Sequence, residues 1–224
     1  MLEITKEISE IYEGASIGLM VMEQVTNASY HKELDLMKNR LEEELQERYQ
    51  GVPRNELKSM HPMDVYTSYY KKFGYNYHVQ LQLESIISGK KTIPFISSLV
   101  VSMFMAELKN MLLTAGCDFS KIQLPLQLKA ADGTESYTGM NGKELITVAG
   151  DMMLNDSGDM MSSILRGPDL KTSIRPGTNQ VLFIVYAPPG IGEELIDQHL
   201  KDIETYIKIA SPEAVLKERQ VYKV

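Results

Sequence analysis

The sequence predicts an α+β fold, and three observations support that prediction. Helical periodicity dominates residues 30–114, whereas residues after Asp118 form short alternating segments separated by glycines. Predicted helices and strands therefore occupy separate stretches, which is typical of α+β proteins and not of alternating βαβ units. The chain has 224 residues, 43% of them hydrophobic and 24% charged, which is a globular composition long enough to bury a core.

The N-terminal part is predicted to contain one strand and one helix. The apolar run from Ser16 to Val25 is typical of a buried strand. Residues 30–50 follow a helical period, and acidic side chains fill the opposite face, either as a solvated surface or as a surface for a partner. The apolar stripe of this helix consists of Leu34, Met37, Leu41, Leu45 and Tyr49.

Three more helices are predicted before residue 118. The first begins near Pro62 and ends at Gly74, because proline favours a first turn and glycine favours a helix end. Its tyrosines, Tyr66, Tyr69 and Tyr70, would either pack in the core or stack on nucleic-acid bases. The second spans 78–89. The third spans 97–114 and is apolar on most sides, which indicates burial.

The second half of the chain is predicted to be mainly strands, with a helix at 192–210. Gly139 and Gly142 indicate a hairpin turn between two of the strands. The predicted strands lie at residues 124–129, 136–138, 146–154, 160–165 and 180–186.

Composition excludes several classes of function. The formal net charge of −7 argues against a broad basic surface for nucleic acid, although it leaves room for a local one. The single cysteine, Cys117, favours a reducing compartment, and we expect a cytoplasmic protein without a membrane span. The histidines are scattered and no nucleotide-binding fingerprint is present, so no metal and no cofactor are expected.

One polar segment, residues 162–178, stands out between the strands. It places Arg166, Lys171 and Arg175 within ten positions, with hydroxyl side chains between them. Arginine offers a planar pair of donors that suits a carboxylate or a phosphate. The alternative is a surface loop whose cations pair with Asp169 and other neighbours.

The order of several short motifs resembles a known family. Ile96 and Asp118, 22 positions apart, bracket the long apolar helix. Around it, in order, lie Phe73-Gly74, Ser85–Ile96, Ala115–Asp118, Lys129–Glu135, Leu154–Gly158, Arg166-Gly167 and Thr178–Phe183. This order resembles the B3/B4 module of the phenylalanyl-tRNA synthetase beta subunit, in a stand-alone form.

The resemblance is best over residues 65–207. It implies one B3/B4-like domain over 1–224, with 1–60 as an N-terminal elaboration. The implied fold has a β-sandwich-like sheet core packed by helices. The implied activity is editing, in which a second site removes an amino acid that a first site cannot reject. Such a protein would bind aminoacyl-tRNA and either only hold it or hydrolyse the mischarged ester in trans.

The same resemblance places candidate site residues in the strand-rich half. Glu135 is the predicted catalytic residue and would position water or the amino group, unless it only holds a turn. The matched substrate-binding positions are Gly133, Arg166, Gly167 and Thr178, and the cation cluster adds Lys171 and Arg175.

The long helix departs from the family pattern. Val101 and Phe104 stand where the family has an Asp and an Asn, and Ala115 stands where the synthetase has its editing histidine. Apolar side chains provide no proton carrier there. A non-catalytic protein that binds an amino acid or another small molecule is therefore the alternative. A third hypothesis is a structural subunit that dimerises through the 30–50 helix.

Overall fold

The computed structural model describes residues 1–224, and it confirms the α+β fold with a sheet core packed by helices. The helices are α1 (Lys6–Ile11), α2 (Lys32–Arg48), α3 (Arg54–Ser59), α4 (Met63–Lys72), α5 (His78–Ile87), α6 (Ser98–Asn110) and α7 (Glu193–Ala210). None of them combines the length and the apolar character that crossing a bilayer requires.

Eleven strands form two main sheets and one small hairpin. The strands are β1 (Leu2–Ile4), β2 (Ser16–Glu23), β3 (Thr114–Asp118), β4 (Leu126–Ala130), β5 (Ser136–Thr138), β6 (Glu144–Ile146), β7 (Met152–Asn155), β8 (Met160–Ser163), β9 (Gly167–Pro168), β10 (Gln180–Ala187) and β11 (Val215–Lys223). The five-stranded sheet has the order β1-β4-β7-β8-β9, the four-stranded sheet has the order β11-β2-β10-β3, and β5 pairs with β6.

The two central strands of the four-stranded sheet are buried along nearly their whole length. Strands β2 and β10 pair along their whole length, from Ser16 opposite Ala187 to Glu23 opposite Gln180. Helix α7 packs against β2 so closely that a Cβ atom at Gly18 would lie 2.4 Å from Ile196 Cγ2. A larger residue at this position would push the helix off the sheet, since real Cβ atoms do not approach that closely.

Helix α4 connects the two sheets through its tyrosines. Tyr66 Oη donates a 2.5 Å hydrogen bond to the carbonyl of Tyr186 in β10. Tyr69 Oη donates to Asp151 Oδ1 at 2.7 Å and accepts from the Met152 amide at 2.8 Å, at the start of β7. The rings are buried, so the packed interpretation describes these tyrosines and the base-stacking one does not.

Two boundaries differ from the sequence prediction, and some elements were not predicted. Helix α6 ends at Asn110, because Met111 adopts a left-handed conformation with φ 57° and the chain then extends into β3. The strand predicted at 146–154 is two strands, β6 and β7, separated by a turn at Gly150, whose φ is 82°. Helix α3 and the C-terminal strand β11 were not predicted.

Candidate functional site

A cavity of about 670 Å³ lies between α6, β3 and the loop that precedes β10. Volumes in this range suit a small organic ligand, and ligand sites usually combine apolar walls with a few polar groups. The lining comprises Asn27, Ser29, His78, Gln82, Ile96, Ser97, Val100, Met103, Phe104, Glu107, Thr114, Ala115, Gly116, Met140, Pro168, Ile174, Arg175 and Pro176.

Helix α6 forms one wall through a single helical face. Val100, Met103, Phe104 and Glu107 follow one another at i, i+3, i+4 and i+7, so their side chains project to the same side. Three of these side chains are apolar and one is a carboxylic acid. The acid therefore lies in an otherwise apolar wall.

Strand β3 forms the opposite wall at the edge of the four-stranded sheet. It pairs with β10, and Ala115 lies opposite Ile184 in that register. Ala115 and Gly116 are small, which leaves space in front of the strand. A Cβ atom at Gly116 would lie 2.8 Å from Ile174 Cδ1, so glycine lets the loop residue Ile174 pack directly on the strand.

Glu107 is the most unusual residue of this cavity. Its side chain is almost completely buried, and Oε1 accepts a 2.8 Å hydrogen bond from the Thr114 amide, which joins the end of α6 to the start of β3. Burial away from water raises the pKa of the carboxyl group to about 8, although the Thr114 N–H opposes the shift. The group is therefore mainly neutral at pH 7.

A chain of buried polar groups continues from Thr114 to the surface. Thr114 Oγ1 lies 2.7 Å from Nε2 of His199, and Nδ1 of His199 lies 3.3 Å from the amide nitrogen of Asn110. Burial lowers the pKa of His199 to about 3, so the imidazole is neutral. Asn110 and Lys109 both donate to Asp202, at 2.8 and 2.9 Å.

Arg175 lies at the exposed rim of the cavity and is held in place by its backbone. Its amide donates to Thr178 Oγ1 at 2.9 Å, and its carbonyl accepts from Asn27 Nδ2 at 2.9 Å. Its guanidinium makes one long hydrogen bond, 3.3 Å to the Leu170 carbonyl. Most of its N–H groups are therefore available to a ligand at the rim.

The other predicted site residues lie outside this lining. Glu135 receives hydrogen bonds from the amides of Asp132 and Gly133 and from the Thr147 hydroxyl, at 2.6–3.2 Å. Its side chain thus holds the turn in which Gly133 has a φ of 90°. A catalytic role for Glu135 stays a prediction.

Two of the cations in the polar segment 162–178 already have partners elsewhere in the protein. Arg166 Nε donates to the Ile146 carbonyl at 3.0 Å, and its guanidinium lies 5.3 Å from the centre of the Tyr75 ring. Lys171 forms a 2.7 Å ion pair with Asp159.

Two further residues of that segment form hydrogen bonds that hold the fold together. Thr178 is buried and donates to Asp118 Oδ2 at 2.8 Å. Gly167 has a φ of 77°, and its carbonyl accepts from the Tyr137 hydroxyl at 2.7 Å. The structure therefore brings Arg175, and none of the other predicted site residues, to the cavity wall.

Sequence reasoning missed Glu107, Thr114 and His199. One signal for Glu107 was present, because a single acid interrupts the apolar α6 stripe at helical spacing. No comparable signal existed for Thr114 and His199, which are 85 residues apart and meet only in the fold. The structure contains no group of three or more His, Cys, Asp or Glu side chains arranged to hold a metal ion.

Comparison with known proteins gives similarity in structure but no match in sequence. No protein-family model matches the sequence, and no curated protein sequence matches it. A crystal structure of an N-terminal fragment of the phenylalanyl-tRNA synthetase beta-subunit from Pyrococcus horikoshii superposes with a TM-score of 0.49 at 12% identity. The match covers 99% of this chain and 50% of that fragment, so the chain spans about half the fragment's length.

Proposed function

We propose that the protein binds a small organic molecule with an apolar body, such as an amino acid, in the cavity between α6 and β3. The observation that supports this most directly is the character of the cavity. Apolar side chains of α6 and small residues of β3 form its walls, a buried acid lies in one wall, and an arginine lies at its rim. Apolar walls with a few placed polar groups are typical of small-molecule sites.

An amino acid would use both ends of this arrangement. Its side chain would occupy the apolar space beside Met103, Phe104 and Ile174. Its carboxylate would bind Arg175, whose guanidinium has N–H groups to spare. The backbone bonds that fix Arg175 reduce the ordering that binding requires.

A direct test is thermal-shift screening against the twenty amino acids, followed by titration of those that stabilise the protein. Val100→Trp fills the cavity from the α6 wall and should abolish the shift. Leu81→Trp is the matched control, because Leu81 is an exposed residue of α5 outside the lining. Equal binding by wild type and Val100→Trp would contradict the proposal.

A second candidate is the aminoacyl end of a charged tRNA, as the family resemblance implies. The specific observation in its favour is the position of two residues. Ala115, aligned with the editing histidine, and Phe104, aligned with a polar helix residue, both line the cavity. These two positions support the cavity as the place where the aminoacyl end would bind. Exposed Ile96 and Met140 at the rim offer contact area for the attached nucleotide.

The second candidate includes a more specific possibility, which is that the protein hydrolyses the ester and does not only bind it. The predicted catalytic Glu135 already receives hydrogen bonds from its own turn. A deacylation assay with tyrosine-charged phenylalanine tRNA tests the activity, with Glu135→Gln as the variant. Release at the uncatalysed rate by both proteins would exclude the hydrolytic version and leave binding to be tested by tRNA retention at moderate salt.

A further inference from the structure

One oxygen of Glu107 has no hydrogen-bond partner in the protein. Oε1 binds the Thr114 amide, whereas Oε2 makes no hydrogen bond. The fully enclosed side-chain atoms that lack a partner are Asp64 Oδ1 and Asn155 Oδ1. Since Glu107 lines the cavity and its Oε2 is not among these enclosed atoms, we infer that this oxygen faces the cavity space.

The hydroxyl groups of the neighbouring tyrosines donate hydrogen bonds to other acceptors. Tyr66 donates to the Tyr186 carbonyl, Tyr70 donates to the Ile164 carbonyl at 2.7 Å, and Tyr77 donates to the Met111 carbonyl at 3.2 Å. Each binds main chain and none binds the acid. Oε2 of this largely buried side chain therefore has no protein partner and is free to bind a group that enters the cavity.

We propose that the cavity recognises ligands that carry a primary ammonium group on an apolar body, and that the Glu107 carboxylate binds this ammonium. This inference rests on the proposed function and adds the chemical class of the ligand. An ammonium offers three donors and no acceptor, which suits a carboxylate oxygen without a donor. The negative net charge of the chain favours the approach of cations.

The apolar wall suits the rest of such a ligand. Val100, Met103 and Phe104 share one face of α6 with the acid, so an apolar body would lie along them when the ammonium reaches Glu107. The ring of Phe104 is also able to contact a cation through its face. Both an amino acid and an aminoacyl ester carry the required ammonium.

Binding changes the protonation of the acid. In the free protein the Glu107 carboxyl holds its proton at neutral pH. When an alkylammonium binds, the O–H bond of Glu107 breaks and the proton passes to solvent, while the ammonium keeps its three protons. The products are an ion pair and one solvated proton, and no covalent bond to the ligand forms.

The surrounding ionisable groups do not reproduce this pH dependence. Burial lowers the pKa of His78, which lines the cavity, and that of His199, so both rings are neutral above pH 7. Burial raises the pKa values of the nearby tyrosines well above 10. Among the charged groups on the helices packed around the cavity, Lys38 pairs with Glu42 and Lys109 pairs with Asp202, and Arg175 lies at the cavity rim.

The test is isothermal titration of the full-length protein with phenethylamine, and with 2-phenylethanol and 3-phenylpropionate as neutral and anionic analogues. The amine should bind at least ~10-fold more tightly than either analogue. Titration in two buffers of different ionisation enthalpy should show close to one proton released per amine bound. The Kd should tighten about 10-fold between pH 6.5 and 8, because the alkylammonium stays charged over this range.

Two variants separate recognition from folding. Glu107→Gln should weaken amine binding about 10- to 100-fold and abolish both proton release and pH dependence, with no loss for the alcohol. Glu42→Gln is the matched control, because Glu42 is also a buried glutamate but accepts a 2.7 Å hydrogen bond from the Ile93 amide outside the cavity. It should bind the amine as wild type does.

Two outcomes overturn the inference in different ways. Equal binding of amine and alcohol, with Glu107→Gln unchanged, would overturn ammonium recognition while leaving a small-molecule site. A failure of all three aromatic probes and of the amino-acid panel would overturn the proposed function and the inference together.

Discussion

Two regions of the molecule treat their polar groups in opposite ways. In the polar loop region, defined as residues 132–147 and 159–178, the charged side chains mostly have partners. Glu135 accepts hydrogen bonds from three residues, and Lys171 pairs with Asp159. In the α6–β3 cavity, Glu107 has one protein partner for its two oxygens, and the oxygen without a partner faces the cavity. The loop region is denser in charge, yet it is the Glu107 carboxyl group in the cavity that has an oxygen without a protein partner.

The difference teaches that polar density and binding capacity are separate properties. A satisfied polar group contributes to stability and has little left to offer a ligand. An unsatisfied buried group destabilises the free protein and gains when a ligand supplies the missing partner. Substitutions in the two regions should therefore differ in sign, and the sizes of their effects test the comparison.

The largest effect is expected at Glu107. Its folded-state pKa of about 8 lies above the usual 4.5, so the unfolded chain ionises first as pH rises and wild type loses stability from pH 4.5 to about 8. Glu107→Gln should therefore gain about 3 kcal/mol at pH 7 and almost nothing near pH 4.5. Urea unfolding at the two pH values measures this gain.

The matched control should behave in the opposite way. Glu42→Gln weakens an existing hydrogen bond to the Ile93 amide, so it should lose stability at pH 7. A gain of equal size in both variants would show that any buried glutamate destabilises this protein, and the contrast between the two regions would fail.

The next effect is expected at Thr178, in the polar loop region. Its hydroxyl donates to Asp118 and accepts from the Arg175 amide. Thr178→Val should lower the free energy of unfolding by about 2 kcal/mol, because a buried carboxylate oxygen loses its donor. Thr134→Val, at an exposed hydroxyl bonded to Asp132, should change it by less than about 0.5 kcal/mol. Similar losses in the two variants would contradict this account.

A smaller effect is expected at Glu135. The substitution Glu135→Gln should lower the free energy of unfolding by about 1 kcal/mol, because amide donors lose a charged acceptor. Ligand affinity of the cavity should not change. Calorimetric unfolding and the same ligand titration measure both quantities. Lost binding at wild-type stability would instead place Glu135 in the site.

The smallest effect is expected at Lys171. Its ion pair with Asp159 is exposed to solvent, and such pairs typically contribute only about 0–1 kcal/mol. Lys171→Met should therefore change stability only slightly, and the change should fade at high salt. Chemical unfolding at low and high salt provides the measurement. A marked loss of affinity for anionic ligands would instead support the predicted role of Lys171 in substrate binding.

Much of the fold followed from local patterns. The stripe from Leu34 to Tyr49 predicted α2, and the apolar run after Ser16 predicted β2, because burial repeats at the period of each element. Strand β11 was missed because it lies at a sheet edge, where charged residues such as Lys217 and Arg219 interrupt the alternation. The end of α6 was missed because residues that follow Asn110 are as apolar as the helix itself.

The candidate site was less accessible from sequence. Arg175 was predicted from its charge and does line the cavity. Glu107 was not singled out, because what distinguishes it is a missing partner, and partners are fixed by tertiary contacts. Thr114 and His199 illustrate this, since the strand and the helix that bring them together are far apart in the chain.

Helix α4 has a consequence for how the molecule opens. Tyr66 is bonded to β10 of the four-stranded sheet, and Tyr69 is bonded to the start of β7 in the five-stranded sheet. Neither sheet separates from the helix without exposing a buried main-chain partner. Local opening at α4 therefore loosens both sheets together. The helix couples the two sheets into one cooperative unit, so their amides should exchange together.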